Sequence, residues 1–139
     1  MMPESEIDQL LTERGIGVLS MANGGVPYGI PLSFGYDGED RLYFLLVGHS
    51  EAGRKVRYAE SADEASFLVF DVESDSRWRS AIVRGPLSRI EPPAWDAARE
   101  AMADNAYRPD LLTDVDVRSD PRVWVLEAEQ RSGRTMEGT

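Results

Sequence analysis

The spacing of apolar residues changes along this chain, and each change predicts an element. Ile7, Leu10 and Leu11 recur at helical spacing, with Glu4 and Glu6 near the start and Arg14-Gly15 at the end, which predicts a helix over Pro3 to Arg14. From Ile16 to Ala22 the chain is short and apolar, Asn23-Gly24-Gly25 is a hairpin signal, and Val26 to Tyr36 resumes with β-branched and aromatic residues. Two antiparallel strands follow. Pro27 and Pro31 make the second an edge strand or a bent one, because neither can donate to a ladder. After the turn Asp37-Gly38-Glu39-Asp40, Arg41 to Val47 reads as a compact apolar strand, completing a three-stranded meander.

A helix is predicted from Glu51 to about Glu60, with Val56 and Ala59 facing inward, and a strand from Ala65 to Val72. Trp78 to Ile90 is a longer strand, with Trp78, Ser80, Ile82 and Arg84 on one face and Ala81, Val83 and Gly85 on the other. Pro92-Pro93 stops it, Ala94 to Met102 is a short alanine-rich helix, and Asn105 to Ser119 reads as a loop with one helical turn near Leu111. Arg122 to Ala128 is a last strand, followed by a disordered tail over about residues 130–139. Six strands with hairpin links, two or three helices and no βαβ alternation argue for a mainly β (α+β) antiparallel barrel, closed or half-closed, with helices packed outside.

With 139 residues the chain reads as one domain, able to bury one core but short for enclosing a large cofactor unaided. A partner subunit would supply the missing wall. The absence of cysteine excludes disulfides and thiolate metal sites, and the single histidine argues against a multi-histidine centre. The longest apolar run, Leu42 to Val47, is far too short to span a bilayer, and the acidic, polar start lacks signal-sequence character, so a cytoplasmic protein is expected. A net charge of −10 makes nucleic acid a poor partner. Fourteen arginines against one lysine, in an acidic chain, resemble either a halophilic surface or a high-GC coding bias. In either case Lys55 stands out as a place where a compact ammonium is retained.

Lys55 closes the stretch His49-Ser50-Glu51-Ala52-Gly53-Arg54-Lys55, which lies between an apolar strand and an amphipathic helix. Ser50 is a good N-cap, so unpaired N–H groups and the positive end of the helix dipole would follow it. Phosphates bind such places. Gly53 would allow an anion close to the backbone, and Arg54 and Lys55 add two cations that the helix start disfavours unless something negative is near. The competing reading is an ordinary cap with a Glu51–Lys55 surface pair.

Taken in order, five segments resemble the pyridoxamine 5'-phosphate oxidase-like flavoproteins, in particular the small single-domain branch that includes nitroimidazole-resistance proteins. They are Gly15 to Ser20, Pro27 to Tyr36, Leu42-Tyr43-Phe44, Gly53-Arg54-Lys55 and Trp78 to Gly85, with a weaker likeness at Arg131-Ser132-Gly133-Arg134. The resemblance implies a split β-barrel that forms a homodimer, with one FMN in each of two clefts between subunits. It further implies that Pro31, Leu32, Ser33 and Phe34 lie along the isoalloxazine ring and offer backbone groups to its polar edge. By the same likeness Val47, His49 and Ser50 lie near the ring or ribityl chain, Arg54 and Lys55 hold the phosphate, and Trp78 and Ser80 match a Trp-x-Ser step on the facing strand. Leu45 stands where many relatives carry a histidine, and Leu45 to Gly48 reads as an insertion that delays the histidine to His49. The long C-terminal motif of the true pyridoxamine phosphate oxidases is missing, so that reaction is not expected.

The plainer alternatives are structural. His49 would serve as a proton donor or as a hydrogen-bonder in a turn, Trp78 as a stacking residue or part of the core or dimer interface, and Ser80 as a phosphate donor or partner of a carbonyl. Trp95 and Trp124 are assigned to packing. Ser20 and Ser33 have no histidine-acid partnership, and Asp114 and Asp116 read as solvated surface, so no catalytic side chain and no metal site is expected. The leading expectation is an FMN-dependent oxidoreductase acting on a small molecule, with the flavin supplying the chemistry. The alternatives are a flavin- or deazaflavin-binding module for storage or sensing, and a structural dimer with no ligand.

Overall fold

A computed structural model describes residues 2–23, 25–47, 64–91, 93, 95–105 and 121–137. Helix α1 (Glu4–Glu13) is followed by strands β1 (Ile16–Asn23), β2 (Val26–Ser33), β3 (Gly35–Tyr36), β4 (Arg41–Val47), β5 (Glu64–Ser74) and β6 (Arg77–Ile90). Helix α2 (Trp95–Asn105) precedes β7 (Pro121–Glu127) and β8 (Gln130–Glu137). The strands form one antiparallel sheet in the order β2-β1-β5-β6-β7-β4-β3, with β8 also paired to β6. Its two end strands, β2 and β3, are halves of one chain segment bent at Phe34, and this brings the sheet round on itself as a split barrel. The predicted class holds, and the strand count rises from six to eight.

Two departures account for the added strands. The predicted strand over Val26 to Tyr36 is divided at Phe34, whose N–H bonds to the Gly15 carbonyl (3.1 Å) and whose ring is fully buried. The tail expected to be disordered instead runs along β6, with Arg77 opposite Glu137 and Arg84 opposite Gln130. Backbone pairing to an otherwise open strand edge holds it there, although the segment lacks apolar alternation. The helix predicted from Glu51 and the loop predicted over 105–119 lie outside the described residues. Among the described residues no helix is long and apolar enough to cross a membrane.

Local chemistry explains the remaining elements. β2 is an edge of the sheet, as its two prolines require. The Asp37 carboxylate accepts from the N–H groups of Glu39, Asp40 and Arg41 (2.8, 3.1 and 3.0 Å), while Gly38 takes φ +85°, a conformation that suits glycine at this turn. Along β6 the alternation is as predicted, with Ala81, Val83 and Gly85 buried and Ile82 and Arg84 exposed. The barrel core gathers Phe34, Phe44 and Phe67, with ring centroids 4.8 and 4.9 Å from Phe67, and α1 adds Ile7, Leu10 and Leu11. A second, smaller core forms outside the barrel, where Ala98 and Ala101 of α2 cover Tyr43, Val123 and Val125. Trp124 is in the main core and Trp95 packs on the small one, donating its indole N–H to the Ile90 carbonyl (3.2 Å).

One polar cluster ties α1, β3 and β8 together. The Tyr36 hydroxyl donates to Asp8 and lies 3.1 Å from the Glu39 carbonyl, while Arg131 donates to Asp8 Oδ1 (2.9 Å) and to the Tyr36 oxygen (3.1 Å). Burial, and then the hydrogen bond to Asp8, push the phenol well above its ordinary value of 10.0. The folded state therefore keeps this proton when the unfolded chain releases it. Stability from Tyr36 is fully present below the ordinary phenol value and falls above it by about 1.4 kcal/mol per pH unit. Tyr36→Phe should cost about 2 kcal/mol in urea unfolding at neutral pH and remove that alkaline slope. A slope equal to the wild type's would assign the proton to another group.

Candidate functional site

The strand registers sort the predicted site residues by face. In β1, Ile16, Val18 and Ser20 lie opposite Ser33, Pro31 and Gly29 of β2, while Val18 and Ser20 also meet Leu68 and Ser66 of β5. Leu68, Phe70 and Val72 of β5 lie opposite Ile82, Ser80 and Trp78 of β6. Those three lie in turn opposite Ser132, Arg134 and Met136 of β8. Because side chains alternate along a strand, all of these share the outer face of a five-strand section, β2-β1-β5-β6-β8.

Pro31, Ser33, Trp78 and Ser80 are therefore on one surface of the sheet. Leu32 and Phe34 point the other way: Leu32 packs against the core and Phe34 is fully buried. They have only main-chain atoms to offer, and the Phe34 N–H is already bonded to Gly15. Val47 ends β4 opposite Pro121. His49, Ser50, Arg54 and Lys55 lie outside the described residues.

The outer face is unusually apolar for a solvent boundary. Phe70 is 49% exposed, Val72 62%, Ile82 38% and Met136 46%, with Val18, Leu68 and Trp78 half-buried among them. Isolated exposed apolar residues are ordinary, but a contiguous patch is the mark of a partner or ligand surface. Apart from Trp78, these residues escaped the sequence reading as a site, although one signal was there. Phe67-Leu68-Val69-Phe70 is a continuous apolar run, the pattern of a strand covered on both faces, and one of those faces is open here.

Between β6 and β8 the face opens into a groove of about 610 Å³, lined by Trp78, Ser80, Ile82, Ser132, Arg134 and Met136. On the other side of Trp78 a groove of about 290 Å³ carries Asp71, Arg77 and Arg79. In that smaller groove the charges are matched. Arg79 contacts Asp71 at 3.1 Å and Glu13 at 3.2 Å, and Arg77 lies 3.6 Å from Glu73. Arg84 and Arg134 on the outer face have no carboxylate partner among the described residues, so this face is locally positive on an acidic protein. An apolar floor with an aromatic edge, the Ser80 and Ser132 hydroxyls and a cation suits a planar aromatic ligand that carries an anionic group.

Comparison with known proteins bears on the family and the fold. Residues 3–135 match the family model described as pyridoxamine 5'-phosphate oxidase. None of the curated proteins matches the sequence. Among solved structures, a FAD-binding protein from Mesorhizobium loti superposes with a TM-score of 0.76 at 20% identity, covering 98% of this chain and 96% of its own. A FAD and heme binding protein from Mycobacterium smegmatis gives 0.72 at 21% identity, covering 99% of this chain and 73% of its own. A candidate 5-nitroimidazole antibiotic resistance protein from Bacteroides thetaiotaomicron gives 0.69 at 20% identity, covering 96% and 84%. At these identities the likeness is one of fold.

Proposed function

The chain belongs to the pyridoxamine 5'-phosphate oxidase family, and on that footing we propose that it is a homodimeric FMN-binding oxidoreductase acting on a small molecule. The observation that carries this reading is the exposed apolar outer face, which carries Trp78 and Ser80 on β6 and, about 14 Å away across β5 and β1, Pro31 and Ser33 on β2. Five strands about 4.8 Å apart and roughly seven residues at about 3.4 Å each make a plane of about 19 by 24 Å, roughly 460 Å² and so a little over half of the about 800 Å² that each partner gives to a standard subunit interface. Pairing two such faces removes Phe70, Val72 and Met136 from water and gives a cofactor the second wall that one short chain lacks.

The residues fit a flavin. Trp78 and Ile82 would support the ring and exclude water from it, and Pro31 and Ser33 would border it from β2. Ser80 would donate a hydrogen bond from β6, and Arg54 and Lys55 would bind the phosphate. A bound flavin supplies the hydride or electron transfer, so no side chain of this protein is required as an acid or base. What the protein contributes is orientation and a dry, low-dielectric cleft.

Arg54→Ala and Lys55→Ala each remove one charge-assisted hydrogen bond, with an expected loss of about 1.5–3 kcal/mol in FMN affinity. Fluorescence titration of the purified protein with FMN measures it. Unchanged affinity in both variants would remove these residues from the phosphate site.

A further inference from the structure

Most described arginines in this chain are answered by a carboxylate. Arg14, Arg41, Arg77, Arg79 and Arg131 each have one within 3.8 Å. Arg84, Arg89 and Arg134 have none among the described residues, and of these three only Arg134 lines the groove. It is exposed on the outer face, directly across the β6–β8 pair from Ser80, and Ser132 lies next along the same face, opposite Ile82. Neither serine hydroxyl enters a hydrogen bond among the described residues. All three line the 610 Å³ groove, between Trp78, Ile82 and Met136.

Position and chemistry together point to an anion. In a chain of net charge −10 the overall field repels anions, so one that settles in this groove needs a local cation. A guanidinium presents a planar fork that matches a phosphate or carboxylate with two parallel hydrogen bonds, and two adjacent hydroxyls can satisfy remaining oxygen lone pairs. Apolar walls lower the local dielectric and strengthen such a contact. We infer that Arg134, with Ser80 and Ser132, holds an anionic phosphate or carboxylate group of the molecule that occupies this groove. The occupant's identity rests on the flavoprotein reading, and the anion site rests on the groove itself. Two sources share this chemistry: the phosphate of the flavin, and the phosphate or carboxylate of a second reactant lying over the ring.

Arg134→Gln separates them, since the exposed position allows the change without disturbing the core. FMN and riboflavin are titrated into the full chain, and benzoate and inorganic phosphate into the chain saturated with FMN. FMN binding weakened about tenfold to a hundredfold, with riboflavin unchanged, assigns the anion to the flavin. Unchanged FMN binding with benzoate or phosphate binding weakened to the same extent assigns it to a second reactant. If the wild type binds neither flavin, the flavoprotein reading fails, and calorimetry with inorganic phosphate on the unliganded chain then decides the anion site alone. In every case, identical binding of all probes by wild type and variant overturns the inference.

Discussion

Replacing Phe70 and Ile82 together by aspartate should turn the protein into a folded monomer that no longer retains flavin. Both side chains lie on the outer face, 49% and 38% exposed, and neither belongs to the core, so the single chain should lose only about 0.5 kcal/mol at each site. Across a dimer interface the same change is severe. Each subunit would bring two carboxylates into an apolar interface, at several kcal/mol per charge where they stay unpaired and less where Arg84 or Arg134 reaches them, against a total of about 8 kcal/mol for a micromolar dimer. Size-exclusion chromatography with far-ultraviolet circular dichroism reads both halves of the result. A variant that stays dimeric and yellow would place the interface and the cofactor elsewhere.

Of the glycines whose surroundings are compared, Gly85 should tolerate a methyl least, with Gly85→Ala lowering stability by about 3 kcal/mol or more. At this point β6 changes neighbours, leaving β5 and β8 and taking up β7 from Leu87 onward. The link from β7 to β8 crosses tightly beside it, pinned where the Glu129 N–H bonds to the Arg84 carbonyl (2.9 Å) and the Ala128 N–H to the Asp40 carbonyl (2.7 Å). A Cβ on residue 85 would stand 1.7 Å from the Glu127 carbonyl oxygen and 2.8 Å from its carbon. Both are backbone atoms, so no rotamer change relieves the clash and a strand must move. Gly29→Ala is the control, since its Cβ would meet the Ser20 oxygen at an ordinary 3.4 Å. Urea midpoints compare the two. Equal midpoints would mean that the crossing is loose enough to accept a methyl group.

How much of this the sequence foretold depended on whether the signal was local. Turn residues, the prolines of β2 and the alternation of β6 act within a few positions, and they located β1, the start of β2 and β6 to within one residue. β8 has only Met136 as a large apolar residue, and its strand character comes from a distant partner, with Met2 closing over Gly133 and donating its N–H to that carbonyl (3.1 Å). No window on Gln130 to Glu137 could register this. Phe34 divided a predicted strand for a similar reason: its ring is drawn into the barrel by Phe67, which is remote in sequence.

The site was readable in the same uneven way. Trp78 and Ser80 share a face by simple period-two counting, and β2 pairing adds Pro31 and Ser33 once the hairpin register is known. Arg134 carried only the weaker family likeness of Arg131 to Arg134, because its place in a site depends on Ser80 across the sheet and on having no carboxylate partner among the described residues. The cationic stretch from His49 to Lys55 is the opposite case, explicit in the sequence and outside the described residues. Its role stands on the mutational titration proposed for Arg54 and Lys55.

The central claim is that flavin and dimer belong together on the outer face of the sheet. Sedimentation velocity of the wild-type protein with FMN, followed at the visible flavin band, tests it directly. The account predicts that bound flavin sediments with a species of twice the 15.5 kDa chain mass. Flavin sedimenting with a single chain, or a dimer that carries none, would contradict it.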